Sequence, residues 1–249
     1  MHSENEIGEL YSTVSKMEAD MADQYRDIRR YSNHVMKMQD GLIVLIADMV
    51  ENHDSDTGNH IQKTASYVQI ILDGLKRKGY YTEQLTPQYV EYVVKSAPLH
   101  DTGKIKIPDK ILNKPGKFTP EEFEIMKAHA VWGKEILDKA IHTVEGESYL
   151  SEARNMAAYH HERWDGKGYP EGLKEEEIPL SARIMAVADV FDALTSKRVY
   201  KPAFPMETAL EIIREGKGTQ FDPKCVEVFL EAIPEIEAVL HKYSSDVDT

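Results

Sequence analysis

Cysteine is nearly absent. Cys225 is the only one in 249 residues. One thiol excludes an internal disulfide and fits a reducing compartment, so a cytoplasmic location is expected. Cys225 itself reads as a small buried apolar residue. Long apolar runs are missing too. The longest, Leu42–Ala47, is six residues, against the ~20 that span a bilayer, and nothing resembles a secretory signal. Positive charge is in deficit: 30 Lys and Arg against 43 Asp and Glu give a net charge of −13. Nonspecific binding to a nucleic acid polymer is therefore excluded, and any anionic substrate needs positive charge delivered locally. Strand alternation never persists beyond four residues, and no internal repeat is visible. With 41% apolar and 29% charged residues, the chain reads as all-α and globular, with room for one sizeable core and an appendage.

What is present centres on His160–Pro170, which reads His-His-Glu-Arg-Trp-Asp-Gly-Lys-Gly-Tyr-Pro. Gly166, Gly168 and Pro170 stop a helix, so the tandem histidines sit where one ends. Neighbouring residues point about 100° apart on a helix. The pair therefore suits two ions, or one ion and one substrate, and imidazole is the commonest metal ligand. A surface loop with a chance His-His pair is the bland alternative.

From the N-terminus, Ile7, Leu10, Val14, Met17, Met21, Gln24, Ile28, Tyr31, Val35, Met38, Leu42, Leu45 and Met49 alternate at spacings of three and four. This is a coiled-coil seam, and Gln24, its polar member, is of the kind that sets register. A single amphipathic helix laid on its own domain would show the same seam. However, 43 residues make ~65 Å of helix, longer than a small domain, so a dimer stalk is the better reading. It suggests a piece of a longer signalling chain. Residues 1–41 are taken as this stalk and 42–249 as the functional domain. A polar turn over 51–60 precedes a helix from Ile61 to Leu75, and a charged turn follows to Pro87. Tyr89–Leu99 is helical and delivers His100-Asp101. Thr119 with Glu122 forms a capping box for a helix that holds His129. Further helices are expected over 134–141, 147–159, 182–194, 205–216 and 223–233.

Eight ligand-type residues stand at helix ends or in apolar helices: Asp56, His60, His100, Asp101, His129, His160, His161 and Asp189. His129 alone would pass for an ordinary core histidine. Asp189 would not, because it lies among Ile184, Met185, Ala186, Val187, Ala188, Val190 and Phe191. Burying a carboxylate there costs several kcal/mol unless it is paired or bound to metal. His and carboxylate without thiolate suit Fe, Mn, Zn or Ni. Eight donors are too many for one ion and suit two. Two ions ~3.5–4 Å apart clamp the attacking and leaving oxygens of a phosphoryl displacement.

The surrounding text carries a resemblance. His100-Asp101 is followed by Thr-Gly-Lys104, and Asp54-Ser-Asp-Thr-Gly-Asn-His60 precedes it. Ile107-Pro108-Asp109, Gly168-Tyr169-Pro170 and Ala188-Asp-Val-Phe-Asp-Ala-Leu-Thr-Ser196 complete the set. Over residues 42 to 232 the chain resembles the HD-GYP subgroup of HD-domain phosphohydrolases, which hydrolyse the bacterial second messenger cyclic di-GMP. The resemblance implies that His60, His100, Asp101, His129, His160, His161 and Asp189 are metal ligands. It implies two divalent ions, Fe or Mn, with Ni and Zn as alternatives. Asp56 stands where some members carry a glutamate that goes with a third ion. Aspartate is shorter, so a third ion is not favoured. Lys104 matches a lysine near the bridging solvent, making His100, Asp101 and Lys104 the catalytic set. Arg198 and Lys201 match residues that hold substrate phosphates. Gly168, Tyr169 and Pro170 offer a surface to a guanine base or to a partner protein. Lys63 departs from the arginine of many members and loses its bidentate fork.

Four functions are weighed. The first is a phosphodiesterase acting on cyclic di-GMP to give pGpG or GMP. The second is an HD phosphohydrolase acting on another cyclic dinucleotide or nucleotide. The third is a receptor that binds cyclic di-GMP without cleaving it. The fourth is a structural coiled-coil adaptor. The intact ligand set favours the first.

Overall fold

A computed structural model describes residues 2–51, 59–143, 149–196 and 203–244. Among these residues there are ten α-helices and no strand, only an isolated bridge between Lys217 and Phe221. The all-α expectation holds. The chain divides into two units, residues 1–43 and 44–249. Among the described residues no helix is long and apolar enough to cross a membrane.

The first unit is helix α1 (His2–Glu51), whose last turns belong to the second unit. Within the first unit the seam residues Leu10, Met17, Met21, Ile28, Tyr31 and Val35 are all exposed.

The second unit is built around α2 (His60–Lys78). Ile61, Thr64, Val68, Ile71, Leu72 and Leu75 are buried along one face, at the three-and-four spacing that keeps side chains on one side of a helix. Thr86 caps α3 (Pro87–Ser96) by accepting from the Tyr89 amide. Pro87 then occupies the first turn, where its missing N–H costs nothing. Two 3-10 turns, Ala97–Leu99 and Thr102–Lys106, flank His100-Asp101, and α4 (Asp109–Leu112) follows. The capping box of Thr119 and Glu122 opens α5 (Pro120–Ile141). After α6 (Leu150–Tyr159) come α7 (Leu180–Thr195), α8 (Met206–Glu215), α9 (Pro223–Glu231) and α10 (Ile233–Ser244).

Two expected elements differ. The separate helix expected over 134–141 is the second half of α5, because Gly133 stays helical within it. The helix expected to end at Ile233 stops at Glu231, and α10 begins there instead. Pro234 falls in the first turn of α10, where a proline lacks only an N–H that would have no helical partner.

The core lies where α2 meets α7, α9 and α10. Tyr67, Phe191 and Phe229 meet edge to face there, with ring centroids 5.0–6.0 Å apart. Such geometry adds to the burial energy of each ring. A buried ion pair ties α7 to the start of α9: Arg183 Nη1 lies 2.7 Å from Asp222 Oδ2. Arg183 also donates to the Ile178 carbonyl and the Tyr81 hydroxyl, and Tyr81 in turn donates to Asp222. Removing one partner of such a pair leaves an uncompensated buried charge and costs about 3–5 kcal/mol. Asp222→Ala is therefore expected to lower the unfolding free energy by about that amount in urea titrations. Loss of less than 1 kcal/mol would mean that the guanidinium finds solvent elsewhere.

Candidate metal centre

Seven of the eight expected ligands converge. His60 is the first residue of α2, His100 and Asp101 lie between the two 3-10 turns, and His129 sits midway along α5. His160 ends α6 with His161 next, and Asp189 is inside α7. Asp56, Arg198 and Lys201 lie outside the described residues, as does the His53-Asp54 dipeptide.

Glycine makes this convergence sterically feasible. A Cβ on Gly103 would fall inside the backbone of His129 and Gly133. Only a bare backbone lets the Thr102–Lys106 turn press against α5 and bring Asp101 to His129. Gly168 is similar, since a Cβ there would collide with the backbone of Glu162 and Arg163.

The ligand atoms form two groups. Asp101, His129, His160 and His161 make one, and His60, His100 and Asp189 the other; within each, the atoms lie within 4.8 Å of one another. In the first, Asp101 Oδ1 is 3.5 Å from His129 Nε2 and 3.7 Å from His160 Nε2, and the Nε2 atoms of His129 and His161 face each other at 3.1 Å. In the second, Asp189 Oδ1 is 3.9 Å from both His60 Nε2 and His100 Nε2. Asp101 spans the two groups, for its other oxygen, Oδ2, lies 3.3 Å from His100 Nε2 and 2.8 Å from Lys104 Nζ. Two ligands each ~2.1 Å from one ion stand ~3–3.5 Å apart, and the pairs at 3.5–3.9 Å approach that spacing.

Tautomers are fixed by partners that can only accept. His100, His129 and His160 donate from Nδ1 to the carbonyls of Ala97, Met126 and Met156, at 2.6–2.9 Å. His60 Nδ1 faces Asp192 Oδ2 at 2.7 Å. Every Nε2 in this set is therefore the nitrogen left facing inward, the usual arrangement behind a metal-binding histidine. His100 Nε2, Asp101 Oδ1 and His160 Nε2 are buried with no hydrogen-bond partner. An orphaned buried polar atom carries a desolvation cost, and a cation removes it from all three. The residues present fit a metal.

The electrostatics differ between the groups. Burial pushes His160 down to about 4 and holds His129 and His161 below the usual imidazole value. All three are neutral donors. Burial also opposes charge on His60, but Asp192, then Asp189 and Glu51, push it up to about 9. His100 is raised by Asp101 and Asp189 against its burial. Asp101 stays well below the usual carboxylate range because Lys104, His100 and His129 outweigh its desolvation. The His60 group thus favours positive charge, and there a proton competes with an ion.

The Gly168–Pro170 segment lies over His161. The Tyr169 ring stacks on that imidazole, with centroids 4.8 Å apart and planes at 28°, and the Tyr169–Pro170 peptide is cis. Glu162 clamps the loop by accepting from the amides of Glu171 and Gly172. Sequence reasoning gave no role to Glu162 or to Asp192. Asp192 holds both His60 and Lys63 Nζ, the latter at 2.7 Å. Lys63, without the arginine fork, still makes this charge contact and donates to Ser196 as well.

Fold and site together define an all-helical domain carrying two histidine–aspartate clusters that could hold metal ions. Residues 44–225 match the family model described as HD domain, and the chain belongs to that family. It is 44% identical over 230 residues to a cyclic di-GMP phosphodiesterase of Vibrio cholerae, covering 92% of this chain and 45% of that protein. A 3'3'-cGAMP-specific phosphodiesterase 2 of the same organism is 39% identical over 198 residues, covering 80% and 35%. A solved HDG"Y"P protein of Bdellovibrio bacteriovorus superposes with a TM-score of 0.52 at 20% identity, over 72% of this chain and 52% of that one, and shares the fold. The chain spans less than half the length of these curated relatives.

Substitutions behind a metal-bound histidine commonly cost 10–100-fold in metal affinity. Asp192→Asn is expected to do so for one ion of the site, with the fold retained by circular dichroism. Metal content identical to the parent after dialysis against a weak chelator would refute the role given to Asp192.

Proposed function

We propose that this chain is a two-metal phosphodiesterase that hydrolyses cyclic di-GMP to pGpG or GMP, as the output domain of a bacterial signalling protein in the cytoplasm. The observation that carries this reading is the single Asp101 carboxylate shared between two groups of buried donors. The names of the V. cholerae relatives support the substrate class. Fe or Mn are the ions proposed for His60, His100, Asp101, His129, His160, His161 and Asp189, with Ni or Zn as substitutes and Asp56 the candidate for a third.

Two such ions would supply charge to the phosphoryl oxygens and lower the pKa of an attacking water. The protein's own residues do the rest. The Nδ1–H groups of His100, His129 and His160 are committed to backbone carbonyls, which leaves each Nε2 facing the site. Lys104, against Asp101, keeps that carboxylate ionised and stands ready to orient the nucleophile or pass a proton. Arg198 and Lys201 are proposed to bind phosphate, and Gly168–Pro170 to present Tyr169 to a guanine base or to a partner protein. Cleavage of 3'3'-cGAMP is the second reading, motivated by the relative of that specificity.

Residues 1–41 are proposed as a parallel dimer stalk and 42–249 as the catalytic domain. The exposed seam of α1, with Leu10, Met17, Met21, Ile28 and Val35, supports pairing with a second copy.

Anaerobically purified protein supplied with Fe or Mn is expected to turn over cyclic di-GMP, with 3'3'-cGAMP assayed in parallel. Asp101→Ala should abolish turnover, whereas Arg198→Ala should mainly raise KM, by about 10–100-fold for a lost charge-assisted contact. Equal residual turnover in both variants, with unchanged KM, would sink this division of roles. For the stalk, changing Met17 and Ile28 together to Glu should yield monomers in analytical ultracentrifugation. A dimer that persists would remove the seam from the interface.

A further inference from the structure

Beside the ion sites lies a second cavity of about 350 Å³, lined among others by His160, His161, Tyr169, Phe123, Lys127 and Arg163. It shares the two tandem histidines with the metal centre, so a ligand at the ions has access to it. Three cations border it, and they are not equivalent. Arg163 is held by Asp165 through two hydrogen bonds of 3.1 Å each, which spends its fork. Lys167 is largely exposed, 4.0 Å from the same carboxylate. Lys127 is three-quarters buried, and its Nζ sits 5.6 Å from the centroids of both Phe123 and Tyr169. Two ring faces hold an ammonium in place without neutralising it. Its anionic partner is Glu124, at 2.7 Å but 70% exposed. A pair of that kind is worth little and yields readily to a better anion.

We infer that Lys127 is a substrate-specificity residue, binding the phosphate of a cyclic dinucleotide that is not being cleaved. The inference rests on the phosphodiesterase reading above. A cyclic dinucleotide carries two phosphodiesters in one ring. When one lies at the ions, the other is carried to a fixed position nearby and keeps its charge. A chain of net charge −13 repels that second anion unless a cation is placed for it. Lys127 approaches from α5, beside the Tyr169 ring, and supplies one. A substrate with one phosphate has nothing to present to it.

The test compares Lys127→Ala and Lys127→Arg with the parent chain, loaded with metal, on cyclic di-GMP and on bis(p-nitrophenyl) phosphate. Dissociation constants for cyclic di-GMP on metal-free protein are read by calorimetry. Lys127→Ala should raise KM and Kd for cyclic di-GMP about tenfold, the size of one lost charge-assisted hydrogen bond. Its kcat should stay within about twofold, and Lys127→Arg should recover most of the binding. Hydrolysis of bis(p-nitrophenyl) phosphate should fall by less than the loss on cyclic di-GMP. Equal losses on both substrates, or an unchanged KM and Kd, would overturn the inference. Should the parent bind cyclic di-GMP without cleaving it, the phosphodiesterase reading falls, and the calorimetric ratio of Lys127→Ala to parent still decides the subsite. Should the parent not bind it at all, both fall.

Discussion

The arrangement depends on one carboxylate. Asp101 turns one oxygen toward His129 and His160 and the other toward His100 and Lys104. Seven buried or half-buried donors would otherwise be two unrelated clusters. Placing an anion there is costly in a medium of low polarity, and the surrounding residues offset that cost in stages. Lys104 pairs with it, the 3-10 turn fixes its backbone, and Gly103 lets that turn touch α5. The remaining unmet atom, Oδ1, marks where a cation completes the balance.

Much of this was legible in the residues. Asp189 in an apolar helix demanded a partner, and His160-His161 before a glycine-rich loop demanded a helix end. Both requirements follow from local rules of burial and backbone geometry, so the sequence displays them directly. The helix count was less legible. Gly133, just before the helix expected over 134–141, stays helical and is a contact point against Gly103 and Ala157, and Pro234, just after the helix expected to end at Ile233, lies in the first turn of α10. In each case a residue has two physical uses, and only the neighbour across the interface selects one.

The supporting partners were illegible for a different reason. Asp192 reaches His60, 132 positions away along the chain, and although it shares the apolar helix of Asp189, nothing local names its partner. Glu162 likewise receives two amides of a loop that folds back nine and ten residues later. Lys127 reads as one more charge on a helix until Tyr169 is set beside it. Long-range pairing is a property of the assembled chain, whereas ligand type and helix ends are properties of short stretches.

The histidines of the site are oriented by two different means. His100, His129 and His160 are aimed by carbonyls three or four residues upstream on their own helical turns. His60 is aimed by a side chain from another helix. No side-chain substitution removes a carbonyl, so the first kind of orientation is written into the secondary structure and withstands drift in the surrounding sequence. The second can be retuned by a single codon at Asp192 or Lys63. A lineage carrying this domain could therefore change its ion preference at one position while the other half stays fixed, which gives evolution a separable dial inside a shared cavity.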